Sequence, residues 1–187
     1  AALEAALAER EWRIDELENE LEAQKRQWAL LGRTGGQETP SAEELGDIEA
    51  PTTWDEFAAV ADRLETDALR LTDNAKRMLR DNPYPDPSRM WQALIKLREA
   101  AEAWRARQGS VRERLKEWVH REFEIEIALQ DKRLRGKVDV EYDGRTYAAE
   151  PHVKVDDHKT PDKCGRIYFA IDDDNLRFIV DHIGLHR

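Results

Sequence analysis

The chain has 187 residues, of which 37% are charged, and a net charge of −10 at neutral pH. That length fits one domain or two small ones, and the acidic balance excludes a nucleic-acid binder that works by bulk charge. No apolar stretch is long enough to span a bilayer and none reads as a signal peptide. The one cysteine, Cys164, can make no internal disulfide, so a reducing cytoplasm is the expected setting.

The sequence opens Ala1-Ala2-Leu3-Glu4 without a methionine and already reads as helix, so a piece of a longer polypeptide is expected. Residues 1–31 carry heptad spacing. Leu3, Leu7, Arg10, Ile14, Leu17, Leu21, Gln24, Trp28 and Leu31 fall at core positions. Arg10 and Gln24 are the polar exceptions and could fix register or partner choice. A single amphipathic helix cannot bury such a stripe alone. The spacing predicts a coiled coil that docks a twin subunit or a protein partner; the alternative is packing back onto the later helices.

Residues 32–53 read as a linker, with Gly35-Gly36, Pro40 and Pro51. Thr53 and Glu56 form a capping-box pattern, and Phe57, Val60, Ala61, Leu64, Ala68, Leu71, Ala75 and Leu79 follow at helical spacing. This predicts a helix over about 54–80. The proline run at Pro83, Pro85 and Pro87 ends it, and Ser88 opens a second helix with Trp91, Leu94, Ile95, Leu97, Ala101 and Trp104 inward. Residues 54–109 are therefore expected to form a helical hairpin, with Trp54, Trp91 and Trp104 as core anchors.

Residues 110–187 are expected to form a separate small domain of one helix and about five mostly antiparallel strands. Ser110 and Glu113 repeat the capping pattern before a helix to about 121. Phe123, Ile125, Ile127 and Leu129 then alternate with glutamates, as in a strand. Asp143-Gly144 predicts a hairpin that pairs Tyr142 with Arg145, Val140 with Tyr147 and Val138 with Ala149. His152 to Val155 is the next strand. A last hairpin turns at Asp172 to Asn175, read as a solvated loop. It sets Ile171 opposite Leu176, Phe169 opposite Phe178 and Ile167 opposite Val180, with Tyr168 facing Ile179 and Arg166 facing Asp181 on the other side.

The candidate site lies on that other side. His152 and Lys154 share one strand face. If their strand borders the last hairpin, they join Arg166, Tyr168 and His182, near Asp181 and His186. Histidine exchanges protons near neutral pH, and lysine and arginine stabilise a crowded phosphate. Metal-independent RNA cleavage needs those parts. The competing reading makes Arg166 and Asp181 a cross-strand ion pair and the histidines ordinary surface groups. Cys164, His152, His182 and His186 could also supply zinc ligands, at unspecific spacing, and neither metal nor cofactor is expected.

With Gly165-Arg-Ile-Tyr-Phe-Ala-Ile-Asp172 and Arg177-Phe-Ile-Val-Asp-His-Ile-Gly-Leu-His-Arg187 in view, the last hairpin resembles the end of RelE/ParE-type bacterial toxins. It is also similar to a C-terminal module of uncharacterised bacterial proteins with a His-x-Lys segment, here His152 and Lys154, followed by Arg-Ile-Tyr-Phe and His-Ile-Gly-x-His. Both resemblances cover about residues 110–187. The toxin resemblance implies an α+β fold of RelE/ParE-like type, mRNA cleavage or gyrase inhibition, and a neutralising partner. Such toxins are usually basic and stand alone. Residues 110–187 hold 15 Lys+Arg against 17 Asp+Glu, so binding to ribosomal RNA would require a local positive patch. The expected function is a bacterial assembly or interaction subunit, docked through residues 1–31, with the toxin-like sheet domain for recognition in a toxin or phage-defence system. The alternative is a metal-independent RelE-like ribonuclease that takes RNA at the C-terminal domain.

Overall fold

A computed structural model of the chain describes residues 49–130, 139–156, 160 and 163–186. The chain divides into two compact units, Ala1–Thr39 and Pro40–Arg187. The expected coiled coil of residues 1–31 lies outside the described residues, as does most of the linker. The second unit is α+β. Residues 54–109 and 110–187, expected as separate bodies, lie within this one unit and share one core.

Helix α1 (Trp54–Val60) begins at the expected capping box: the Thr53 hydroxyl accepts from Glu56 N, and the Glu56 carboxylate accepts from Thr53 N. The long helix predicted over 54–80 does not form. A 3-10 turn (Ala61–Leu64) is followed by strand β1 (Leu69–Leu71) and a short helix α2 (Asp73–Met78). Two threonines cause the break. The Thr66 hydroxyl accepts from Ala68 N and Leu69 N at 3.0 and 3.1 Å, and the Thr72 hydroxyl caps α2 through Ala75 N at 3.1 Å. Such local side-chain bonds compete with helix. Ala68, Leu71, Ala75 and Leu79 are still buried, so the predicted core residues survive the change of element.

Helix α3 (Pro87–Ala106) is capped by Asp86, with Pro87 in its first turn where the missing N–H costs nothing. It is buried nearly all round. Trp91, Leu94, Leu97, Ala101 and Trp104 are core as expected, Ile95 is only half-buried, and Arg98 is buried beside Glu102 at 2.8 Å. The tryptophans do anchor this layer: Trp54 stacks on Phe57, which meets Trp91 edge-on at 5.2 Å, and Trp104 lies 5.2 Å from Phe178 of the sheet. Helix α4 (Leu115–Phe123) starts later than expected, because Glu113 pairs with Arg121 instead of closing a capping box.

The strands that follow are β2 (Glu126–Ala128), β3 (Asp139–Tyr142), β4 (Arg145–Ala148), β5 (His152–Val155), β6 (Gly165–Asp172) and β7 (Arg177–Leu185). The strand predicted through Phe123 is shortened to β2, since Phe123 closes α4 and Glu124 takes a left-handed cap at φ 57°. β3 and β4 form the expected Asp143-Gly144 hairpin, pairing Tyr142 with Arg145 and Val140 with Tyr147. The main sheet has the order β1-β7-β6-β5-β2, with β1 parallel to β7 and the other pairs antiparallel.

The last hairpin differs from expectation. Asp172 pairs with Arg177, Ile171 with Phe178 and Phe169 with Val180; a bulge then sets Tyr168 opposite His182 and Arg166 opposite Gly184. Asp172 is drawn into the strand because its buried carboxylate has donors there, and Leu176 takes φ 53° to close the loop. The bulge falls at Asp181, so the strand register sets Arg166 opposite Gly184 and not opposite Asp181 as expected.

Phe178, Val180, Ile167, Phe169 and Ile183 face the helices in one core with Phe57, Leu69, Trp91 and Leu97. Among the described residues no helix is long and apolar enough to cross a membrane. Gly165, at the start of β6, sits against this layer. A Cβ there would come within 2.9 Å of Tyr84 Cε2, 2.9 Å of Met90 Cε and 3.0 Å of Val155 Cβ. Gly165→Ala is expected to lower stability by about 1–3 kcal/mol in urea unfolding, as overpacking does. An unchanged midpoint would show that the α3–sheet contact is looser than described.

Candidate functional site

The second face of the sheet divides into two halves. Near the turn it is covered by the β3–β4 hairpin. Val140 and Ala149 pack on Ala170 and Ile179, with Tyr142 and Tyr147 at the rim. A polar latch ties the hairpin down. The Asp172 carboxylate accepts from Arg177 Nε at 2.8 Å, Asn175 Nδ2 at 2.8 Å and the Tyr147 hydroxyl at 3.1 Å. Arg177 also reaches Asp143 at 2.9 Å and lies over the Tyr142 ring, while Arg145 pairs with Asp174. Asp172 is thus a buried centre of the structure, not part of a solvated turn.

The other half holds the residues singled out from the sequence. β5 does border β6, as the site required. The register places Lys154 opposite Arg166, and His152, Tyr168 and His182 in one row across three strands. The Tyr168 ring is the hub: His152 lies 4.9 Å from it, His182 5.4 Å and His186 6.5 Å, centroid to centroid. All five expected site residues are therefore neighbours.

Their surroundings differ from those of an open active site. Tyr168 is fully buried, and His152, Arg166 and His182 are 5%, 6% and 8% exposed. The two histidines, Arg166 Nη1 and Lys154 are each engaged by the protein. His152 Nδ1 lies 3.0 Å from Glu150 O and His182 Nε2 3.0 Å from Leu185 O; a carbonyl only accepts, so each of these nitrogens carries the proton. Arg166 Nη1 donates to Gly165 O at 2.9 Å, and Lys154 Nζ donates to Glu126 at 2.5 Å. Asp181, expected beside Arg166, turns to α2: its carboxylate accepts from the Thr72 hydroxyl at 2.9 Å and from Asn74 Nδ2 at 3.3 Å. Thr72 and Asn74 escaped the sequence reading because they lay inside the supposed long helix.

The zinc option has no matching geometry. Among the described residues no group of three or more His, Cys, Asp or Glu could hold a metal ion, and Cys164 Sγ donates to Asp156 O at 3.3 Å. Asp156 is itself a buried hub, accepting from the Tyr84 hydroxyl at 2.8 Å and pairing with Arg89 at 2.7 Å. Burial and that hydrogen bond hold the Tyr84 phenol neutral, well above its ordinary range. Beside the latch, a cleft of about 570 Å³ opens between β1, α2 and the β3–β4 hairpin. Glu65, Asp73, Asp139, Glu141, Asp143 and Asp181 line it against the single cation Lys76, so it repels anions.

The latch has a defined acid response. Burial alone would raise the Asp172 carboxyl, but the hydrogen bonds from Asn175 and Arg177 outweigh it and hold the group below its ordinary value. A depressed carboxylate contributes its full stability above about pH 4, and that contribution is lost as pH falls through the lower folded value. Asp172→Asn is expected to be about 1–3 kcal/mol less stable at pH 7 and to lose less on acidification than the parent, read from thermal melts between pH 7 and 2. Parallel curves would contradict the latch.

Comparisons with protein-family models, with curated proteins and with solved structures found no match to this chain, so what the site does rests on its own geometry.

Proposed function

We propose that this protein is an interaction subunit: the heptads of residues 1–31 dock it to a twin or partner chain, and the α+β unit serves recognition. The burial of Tyr168, His152, Arg166 and His182 carries this reading. A ribonuclease must bring a base to a ribose hydroxyl and cations to a phosphate. Here the histidines are tied to backbone carbonyls and the rings pack on one another, which is how a polar cluster stiffens a sheet. The acidic cleft and the net charge of −10 also favour protein partners over bulk nucleic-acid binding.

One observation favours the second reading, a metal-independent RelE-like ribonuclease. The five residues such chemistry would draw on, His152, Lys154, Arg166, Tyr168 and His182, are brought to adjacent register positions from β5, β6 and β7. In that reading Arg166 and Lys154 would hold the phosphate, and His152 and His182 would exchange protons.

Induction of the full chain in a bacterium, beside Arg166→Ala and His182→Ala forms shown to be folded, separates the two. The interaction reading expects normal growth and intact RNA, together with a heptad-dependent complex that Ile14→Asp with Leu17→Asp abolishes. Growth arrest with RNA cleavage, lost in both folded variants, would replace it with the ribonuclease.

A further inference from the structure

The cleft beside the latch runs along a strand edge. Its wall includes every residue from Asp139 to Asp143 and no residue of β4. Val140 and Tyr142 face the sheet, whereas Asp139 and Glu141 face solvent. A cleft that touches both sets follows the edge of β3 that turns away from β4, because alternate side chains of a strand leave on opposite faces. Among the described residues β3 pairs with β4 alone. The Asp143-Gly144 turn has two residues, at φ 51° and 73°, so the flanking pair of Tyr142 and Arg145 exchanges hydrogen bonds, as does the pair of Val140 and Tyr147. Asp139 and Glu141 therefore turn their backbone N–H and C=O away from β4 and toward the cleft.

The carboxylates of the cleft fall into two groups. Three are engaged: Glu65 accepts from Leu71 N and pairs with Lys76 at 2.7 Å, Asp143 pairs with Arg177, and Asp181 accepts from the Thr72 hydroxyl. Among the described residues no ion pair or side-chain hydrogen bond engages the other three, Asp73, Asp139 and Glu141, and all three are exposed. Two of these stand on one face of β3, and Asp73 stands across the cleft at the start of α2. The two strand edges that border the cleft are treated differently. The Glu65 carboxylate blunts β1 by taking up Leu71 N, whereas among the described residues no side chain takes up Glu141 N.

We propose that the free edge of β3 binds an extended segment of a protein partner, which adds to the hairpin as a third strand and carries lysine or arginine at alternate positions. The edge supplies main-chain hydrogen bonds, which only a peptide can return. The carboxylates supply the choice of partner: a basic side chain directly opposite Asp139 or Glu141 lies within reach of it, and an acidic segment is repelled by the three uncompensated charges. A polyamine or a metal ion would meet the carboxylates but leave the edge unused. The latch of Asp172, Arg177 and Tyr147 already holds the hairpin in place, so little ordering is left for the partner to impose. The inference rests on the recognition role proposed for the α+β unit, and it adds the surface and the chemistry of the partner.

The test is fluorescence anisotropy of a labelled, end-capped Lys-Val-Lys-Val-Lys peptide titrated with the full chain at low salt. Saturable binding is expected. Asp139→Lys with Glu141→Lys is expected to weaken it by about tenfold or more, whereas Asp81→Lys with Glu117→Lys, the same change of charge at exposed sites outside the cleft, leaves it within about twofold. Circular dichroism checks that both double variants are folded. Two further peptides carry backbone N-methyl groups, one on its lysines and the other on its valines. Only alternate N–H groups of an added strand face the edge, so one of the two is expected to lose about tenfold and the other to bind as the parent does. Absence of saturable binding overturns the proposal, as does equal binding by the Asp139→Lys, Glu141→Lys form. Equal binding of all three peptides also overturns it, and reduces the cleft to a site for cations at large. The heptad-dependent complex is expected to persist in the Asp139→Lys, Glu141→Lys form, so failure of the peptide to bind leaves docking through residues 1–31 in place.

Discussion

The pairing of β1 with β7 is the constraint on which the rest of the structure depends. β1 is only three residues long, yet its parallel register with Phe178, Ile179 and Val180 brings the helical first part of the unit into the sheet. Phe178 N donates to Ala68 O and Thr72 N to Val180 O, so both ends of the short strand are fixed to β7. A parallel pair needs a long crossover, and α2, α3 and α4 with the strands between supply it. Glu65 then closes the open edge by accepting from Leu71 N, with Lys76 balancing its charge. Once β7 is held between β1 and β6, its inner residues complete the core under α3. Its outer residues meet the β3–β4 hairpin at one end and the Tyr168 cluster at the other.

The second face follows from that placement. Near the turn it is sealed by a hairpin held through Asp172 and Arg177. Beyond the bulge at Asp181 the face carries histidine, tyrosine and arginine. Backbone carbonyls engage His152, His182 and Arg166 Nη1 and so offset part of the cost of burying this polar cluster. The same residue types would suit phosphoryl chemistry in an open cleft. Accessibility, more than composition, separates the two roles here. Charge is divided in a similar way, with acids at the cleft beside β1 and cations where α3 passes to α4.

Much of this was legible in the sequence, and the misses trace to specific polar side chains. The α+β class, the Asp143-Gly144 hairpin and the alternation of β5 followed from turn chemistry and strict period-two spacing. So did the neighbourhood of His152, Lys154, Arg166, Tyr168 and His182, which needed only that β5 lie beside β6. The long helix over 54–80 failed because Leu64, Ala68, Leu71, Ala75 and Leu79 fit helical spacing while Thr66 and Thr72 bond their own backbone. The last hairpin slipped because the buried hydrogen bonds of Asp172 outweigh the usual preference of an Asp-rich run for a loop. The partners of Asp181 lay more than a hundred positions away, at Thr72 and Asn74, where no local pattern points. Long-range pairing decided this last case, whereas local side-chain hydrogen bonds decided the other two.

Native-state hydrogen exchange on the full chain tests the β1–β7 claim most directly. The Thr72 amide, which donates across to β7, is expected to exchange through the same opening as the Phe169 amide at the centre of the sheet, with one free energy and one urea dependence. Exchange of Thr72 through a separate, much lower-energy opening, while Phe169 stays protected, would show that the helical part is a detachable layer and contradict the account.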